Sequence, residues 1–185
     1  MNDSIKKMLR LIEKDLMITE VSYETFQKKK TLIVDAVFSP APHTCRNCGS
    51  TVVDGNGKAI IVKNGKKETI VRFEQYNHMP LVMRLKKQRY TCKNCRTYWT
   101  AQSYFVRPRH SIADHVRYKI ASLLTEKVSL SFIAKSCQVS LTTVIRTLKE
   151  FKSYLPKPSK KILPIVLMVD EFRSLASIED KMSFI

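Results

Sequence analysis

Residues 81–95, LVMRLKKQRYTCKNC, decide the fold that the sequence predicts. Their first half is rich in residues that favour β-strands, and RLKKQR at 84–89 adds four cations. The segment ends in the pair Cys92 and Cys95, separated by two residues. Such a pair in a tight turn can direct two thiolates at one metal ion. We therefore predict a basic strand that leads into half of a metal site.

A second pair, Cys45 and Cys48, opens the segment CRNCGS and supplies the other half. Four thiolates complete the tetrahedral coordination that structural Zn²⁺ adopts, so we predict one structural zinc ion bound by Cys45, Cys48, Cys92 and Cys95. Turn signals at 54–57 (DGNG) and 64–67 (NGKK) predict two hairpins between the pairs. We expect removal of the metal to unfold residues 43–100, because metal binding and folding are linked in small zinc modules.

Other interpretations of the cysteines are weaker. The amino terminus lacks the apolar core of a signal peptide, so we expect a cytoplasmic protein whose thiols stay reduced and do not form disulfides. A redox pair usually stands alone, and buried free thiols would not fall in matched pairs. His43 is an outside candidate for a ligand, and Cys137 suits a small core position on a helix.

The charge is concentrated in the middle of the chain. The net charge is +17, and residues 41–161 hold 24 Lys and Arg against six Asp and Glu. Such an imbalance favours a polyanionic partner, and we expect double-stranded DNA rather than an anionic membrane. In the basic strand, Arg84, Lys86, Lys87 and Arg89 could follow phosphates, with Tyr90, Tyr98 and Trp99 offering stacking surfaces. A solvated strand face explains the same residues equally well.

Residues 1–40 predict an amphipathic helix over 4–17 and a β-hairpin from the runs EVSYETF and TLIVDAVF. Residues 41–105 then form the zinc-ribbon module. Residues 106–155 predict a module of three helices, the first of which Ser111 could cap. The third helix is expected at 141–151, with Ser140 as its cap.

The last two of these helices fit a helix-turn-helix, although an ordinary three-helix packing unit is the alternative. Gln138 occupies the turn position where Gly is common, which costs free energy if the backbone there is left-handed. The surrounding positive charge favours DNA as the ligand. The third helix would then offer DNA-contacting residues from its start and outer face, namely Ser140, Thr142, Thr143, Arg146 and Lys149.

Residues 156–185 predict a basic linker followed by a buried strand that ends on acids. The segment LPIVLMVDEF at 163–172 is apolar until Asp170 and Glu171, and MSFI near the end predicts a second strand. A carboxylate at a strand end has a rigid mount and can hold a divalent metal. A metal-free pair of surface acids is the alternative.

This order of parts resembles the bacterial insertion-sequence transposases of the ISL-three family. The resemblance covers nearly the whole chain, and CRNCGS, RYTCKNC and VDEFRS followed by KMSFI carry it. It implies that the amino-terminal modules bind the terminal inverted repeats of an element. It also implies an RNase H-like core with a DDE triad of carboxylates and two Mg²⁺ ions, in which Asp170 matches the first catalytic residue.

The later acids of the triad lie downstream in that family, beyond residue 185. The resemblance therefore implies a truncated chain that binds DNA but needs a completed core for Mg²⁺ and catalysis, so whether it is an enzyme stays open. A zinc-binding helix-turn-helix transcription regulator is the alternative function. A third possibility is an enzyme assembled with another polypeptide that supplies the missing acids. A second copy of the chain or an intact transposase would be a further partner.

Together these observations predict an α+β, multi-module chain. Its parts are a β-rich zinc-ribbon module, a trihelical helix-turn-helix module, and a C-terminal β-hairpin from an incomplete RNase H-like core.

Overall fold

The computed structural model describes residues 2–152 and two short strands at 171–173 and 182–184. The described part is mixed α/β, with four helices, a sheet of five strands and a separate two-stranded sheet. The chain divides into two units, Met1–Lys152 and Ser153–Ile185. The elements of the first unit are α1 (Asn2–Met8), β1 (Leu16–Phe26), β2 (Lys29–Phe38), β3 (Ile61–Arg72), β4 (Leu81–Cys92), β5 (Tyr98–Thr100), α2 (Asp114–Leu123), α3 (Leu130–Ser136) and α4 (Leu141–Phe151).

Strand β4, which carries the basic segment, lies inside the sheet. The strand order is β1-β2-β4-β3, and β5 pairs with the end of β4. The predicted hairpin of β1 and β2 is confirmed, and β2 pairs with β4 in parallel. A parallel pair needs a long connection, and residues 39–80 provide it by way of the first cysteine pair and β3. Strands from residues 1–40 and from residues 41–105 therefore share one sheet. The boundary at residue 40 between two modules stays a prediction.

Two local predictions were wrong. The helix expected over 4–17 covers only Asn2–Met8, because Arg10 adopts a φ of 56° and Leu16 is already the first residue of β1. The hairpin turn expected at 64–67 is a β-bulge within the continuous strand β3, between Lys63 and Lys66. Gly65 supplies the left-handed φ of 67° there, so a turn signal in the sequence became a bulge. The DGNG turn does form, between the bridged residues Val53 and Ala59.

The core lies on one face of the sheet. Strand alternation places every second residue of β2 and β4 on that face, and the register pairs them directly. Met83 and Leu85 of β4 and Val71 of β3 are fully shielded from solvent. The buried residues facing them on β2 are Leu32, Val34 and Ala36.

The helical segment is joined to the end of β3. The backbone N–H of Arg72 donates to Ser111, and Arg72 accepts in turn from Ala113. Helix α2 starts just afterwards without a side-chain cap, so the predicted capping role of Ser111 was wrong. Phe73 packs against Phe105 and His115, with ring centroids 5.8 and 5.0 Å apart. These contacts fix the start of α2 relative to the sheet.

In the second unit, β6 (Glu171–Arg173) and β7 (Met182–Phe184) pair antiparallel. The predicted strand at 163–170 lies outside the described residues, and so does the candidate catalytic residue Asp170.

Candidate metal centre and nucleic-acid interface

The four paired cysteines converge on one point. All four Sγ atoms lie within 4.8 Å of one another, with 3.5 Å between Cys45 and Cys95 and 3.7 Å between Cys48 and Cys92. Tetrahedral zinc with Zn–S bonds near 2.3 Å places its sulfurs about 3.8 Å apart. The cluster is therefore a possible metal site of zinc-like size. His43 is absent from it, and Cys137 lies buried at the end of α3, as predicted.

Both cysteine turns are built in the same way. The N–H of Cys45 donates to the carbonyl of Ser50, and that of Cys92 donates to the carbonyl of Thr97. The residue after the second cysteine of each turn is left-handed, with φ 69° at Gly49 and 56° at Arg96. Only glycine adopts this conformation without strain. The second turn is therefore the more strained of the two.

This strain gives a first prediction. Arg96→Gly should raise the free energy of unfolding by about 0.5–1 kcal/mol, because it removes the left-handed strain at a small entropic cost. Gly49→Ala should lower it by about 1 kcal/mol. An added Cβ at Gly49 meets no atom within 4 Å, so its effect would be conformational only. Urea unfolding of the two purified variants and the unchanged protein measures both free energies, and a loss of stability in Arg96→Gly would contradict the expectation.

The surroundings of the thiols favour a bound cation. Hydrogen bonds with the side chain and backbone of Thr97 lower the pKa of Cys95 to about 5, and those with Ser50 lower the pKa of Cys48. Backbone hydrogen bonds from residue 95 act the same way on Cys92, but burial and the neighbouring thiols outweigh them and raise its pKa to about 11. Four sulfurs this close repel as thiolates, so a divalent metal is needed to hold all four deprotonated.

The four predicted cations of β4 do not share one surface. Alternation along the strand puts Arg84 and Lys86 on one face and Lys87 and Arg89 on the other. Arg84 is held by Asp35, 2.9 Å away, and by Glu24, and these carboxylates raise its pKa. Lys87 is buried, which lowers its pKa. Lys86 and Arg89 remain exposed and suited to contact phosphates.

The predicted stacking residues also differ in access. Tyr90 is buried, packs on Trp99 with centroids 5.7 Å apart, and donates its hydroxyl hydrogen to the carbonyl of Pro40. It therefore supports the first cysteine segment instead of offering a surface to a base. Tyr98 is 69% exposed and remains available for stacking.

Helix α4 presents a polar face to solvent. Ser140 precedes it, and its Oγ accepts a hydrogen bond from the N–H of Thr143, as expected of a cap. Thr142, Arg146 and Lys149 are exposed, and their spacing of four and three residues places them on one side of the helix. Val144 on the opposite side is completely buried. The helix thus has one face toward the protein and one free to meet a ligand.

The orientation of α4 is fixed by charge as well as by packing. Arg117 on α2 is 5% exposed and forms ion pairs with Glu150 of α4 and with Asp114. Arg107 reaches the same two carboxylates, at 3.4 Å from Asp114 and 3.7 Å from Glu150. Gln138, between α3 and α4, has a φ of 53°, so the turn does require the left-handed conformation.

Sequence reasoning missed one group of cations. Lys63, Lys66 and Lys67 flank the bulge of β3 and are all exposed. Arg89 donates from Nε to the carbonyl of Asn64 in the same bulge, which brings its guanidinium beside them. The run NGKK contained the signal, but it was interpreted only as a turn.

Comparison of the chain with protein-family models, curated proteins and solved structures finds no match. None of the helices in the described part of the chain combines the length and the apolarity needed to cross a bilayer.

Proposed function

We propose that this chain is the DNA-binding part of an insertion-sequence transposase similar to the ISL-three family, and that it binds the terminal inverted repeats of an element. In this proposal α3 and α4 act as a helix-turn-helix, and α4 enters the major groove. The cysteine cluster holds a structural Zn²⁺ as the centre of a zinc ribbon. A transcription regulator would use the same surfaces, so the DNA sequence that is bound separates the two functions.

The single observation that carries the proposal is the geometry of α4. A capped helix whose buried face packs on a support, and whose outer face carries Thr142, Arg146 and Lys149, has the form of a recognition helix. Arginine there can donate two hydrogen bonds to one guanine, and threonine can contact a base or a phosphate. The excess of cations over the whole chain supplies attraction to the DNA backbone.

The donor set supports zinc as the metal. Four cysteine sulfurs with no oxygen donor suit Zn²⁺, and a site closed by four protein ligands suits a structural role rather than catalysis. Because Cys92 ends β4 and Cys45 belongs to the connection between β2 and β3, the metal would join the end of the sheet to that connection. Zinc would thereby hold the exposed cations of this region in place.

The resemblance also assigns Mg²⁺ chemistry to a completed RNase H-like core. In such a core a carboxylate at Asp170 would be one ligand of the metal, which activates the attacking oxygen. The residue lies outside the described part of the chain, so this role remains part of the proposal.

The proposal predicts a preference for particular DNA ends. Duplexes carrying the inverted repeats that flank the coding sequence should bind more tightly than scrambled duplexes of the same composition, by about tenfold or more at physiological salt. Fluorescence anisotropy at several salt concentrations measures the affinity for both kinds of duplex. Equal affinity for repeats and scrambled duplexes would remove the transposase proposal, and selective binding to an upstream promoter sequence instead would favour the regulator.

A further inference from the structure

The turn of the β1–β2 hairpin lies beside the turn between α3 and α4. Lys29, the first residue of β2, donates from Nζ to the side-chain oxygen of Gln138 over 3.3 Å. These residues are 109 positions apart in the chain. Gln138 stands two residues before Ser140, the cap of α4. The hairpin turn is therefore a neighbour of the amino-terminal end of α4.

The hairpin turn is short and strongly basic. Phe26 pairs with Lys29, so only Gln27 and Lys28 connect the strands, and both have positive φ, at 51° and 62°. This is the tight two-residue turn that matches the twist of a hairpin. Lys28, Lys29 and Lys30 are all exposed. A turn of this kind projects its cations from a stiff support.

A cavity separates the hairpin turn from α3, and its charge is one-sided. Its volume is about 320 Å³. Lys29, Arg72 and Lys135 line it, and no carboxylate residue does so among the described residues. Two of these cations have neutral partners: Arg72 donates to the side-chain oxygen of Gln27, and Lys29 donates to that of Gln138. Cations gathered without acids favour an anionic occupant.

We propose that Lys28, Lys29 and Lys135, here called the hairpin clamp, bind backbone phosphates of the DNA that α4 reads. The inference rests on the proposed function and adds a contact surface to it. The amino-terminal residues of a recognition helix contact base edges, while the preceding helix crosses the backbone. Lys135 belongs to that preceding helix, and the hairpin turn touches the connection between the two helices. Phosphates next to the bases read by α4 thus come within reach of the clamp.

The test compares two pairs of lysines by fluorescence anisotropy on a labelled duplex of mixed sequence. Lys28→Gln with Lys29→Gln should lower the slope of log affinity against log salt by about 2, since each lysine neutralises one phosphate. The control is Lys7→Gln with Lys14→Gln, which removes the same charge. Both lysines are exposed and precede β1, at the opposite end of that strand from Lys28 and Lys29.

Equal slopes in the two double variants would overturn the hairpin clamp and leave the proposed function intact. Failure of the unchanged protein to bind any duplex would overturn both. A second measurement uses a photoreactive benzophenone amino acid at position 28 or position 7. Crosslinking to DNA from position 28 and not from position 7 is expected, whereas equal crosslinking from both would contradict the clamp.

Discussion

Purified protein is expected to contain one zinc ion per chain, and removal of this ion should abolish the fold around the cysteine turns. Structural zinc in small peptide modules contributes roughly 10–16 kcal/mol of apparent binding free energy at neutral pH. That range is comparable to the whole stability of an ordinary domain, about 5–15 kcal/mol. Without the metal, the four sulfurs, two of them on buried cysteines, lose the cation that holds them deprotonated beside one another.

The structure narrows the region that should unfold when the metal is removed. The sequence alone suggested unfolding of residues 43–100, but β3 and β4 also pack through Val71, Met83 and Leu85, and the two β4 residues lie seven or more positions before Cys92. We therefore expect chelation to remove hydrogen-exchange protection from residues 43–60 and 92–100 first. Protection at residues 31–36 and 81–86 should persist longer, and mass spectrometry of exchanged peptides measures both.

Matched variants test whether the four cysteines are the ligands. Cys48→Ser should lower the zinc content and stability, and because Cys48 is exposed, little packing is lost with it. Cys137→Ala should keep one zinc per chain, since Cys137 lies outside the cluster. Metal binding displaces thiol protons, so acidification should release zinc and alkaline conditions should retain it. Zinc well below one per chain in unmodified protein, with all thiols reduced, would contradict the expectation.

Arg146→Ala should reduce the preference for a specific site over mixed-sequence DNA. The loss should be about 1–3 kcal/mol if the guanidinium reaches a base edge, which corresponds to roughly 5- to 150-fold in the affinity ratio. Because Arg146 is exposed on the outer face of α4, its replacement should leave the free energy of unfolding nearly unchanged. Competition between specific and mixed-sequence duplexes measures the ratio directly.

Variants of two lysines distinguish a contact to a base from a contact to a backbone phosphate. Lys149→Ala should weaken binding to both duplexes alike and reduce the salt slope by about 1, as expected for a phosphate contact. Lys7→Ala, on α1, should change neither the ratio nor the slope appreciably. A ratio that is the same in Arg146→Ala as in Lys7→Ala would show that Arg146 does not select the sequence.

Much of the candidate site could be predicted because its signals are local. The spacing of Cys45 with Cys48 and of Cys92 with Cys95 indicated the cluster, since a turn of four residues directs both thiols to one side. The bounds of α4 and its cap at Ser140 followed from a helical apolar period and a capping residue in adjacent positions. The helix expected at 4–17 ends at Met8 because Arg10 adopts a left-handed φ of 56° and Leu16 pairs with Phe38 in the sheet.

The sequence by itself determined the two cysteine pairs, the helix α4 and the sign of the charge, because each depends on residues within a few positions or on composition. Only the tertiary structure decided which cations are exposed and which are buried or paired with carboxylates. It joined β2 to β4 in parallel, and this pairing sets Asp35 beside Arg84. It also brought Lys29 to Gln138 across 109 positions. Such long-range pairings follow from burial and strand register, which no local pattern of residues encodes.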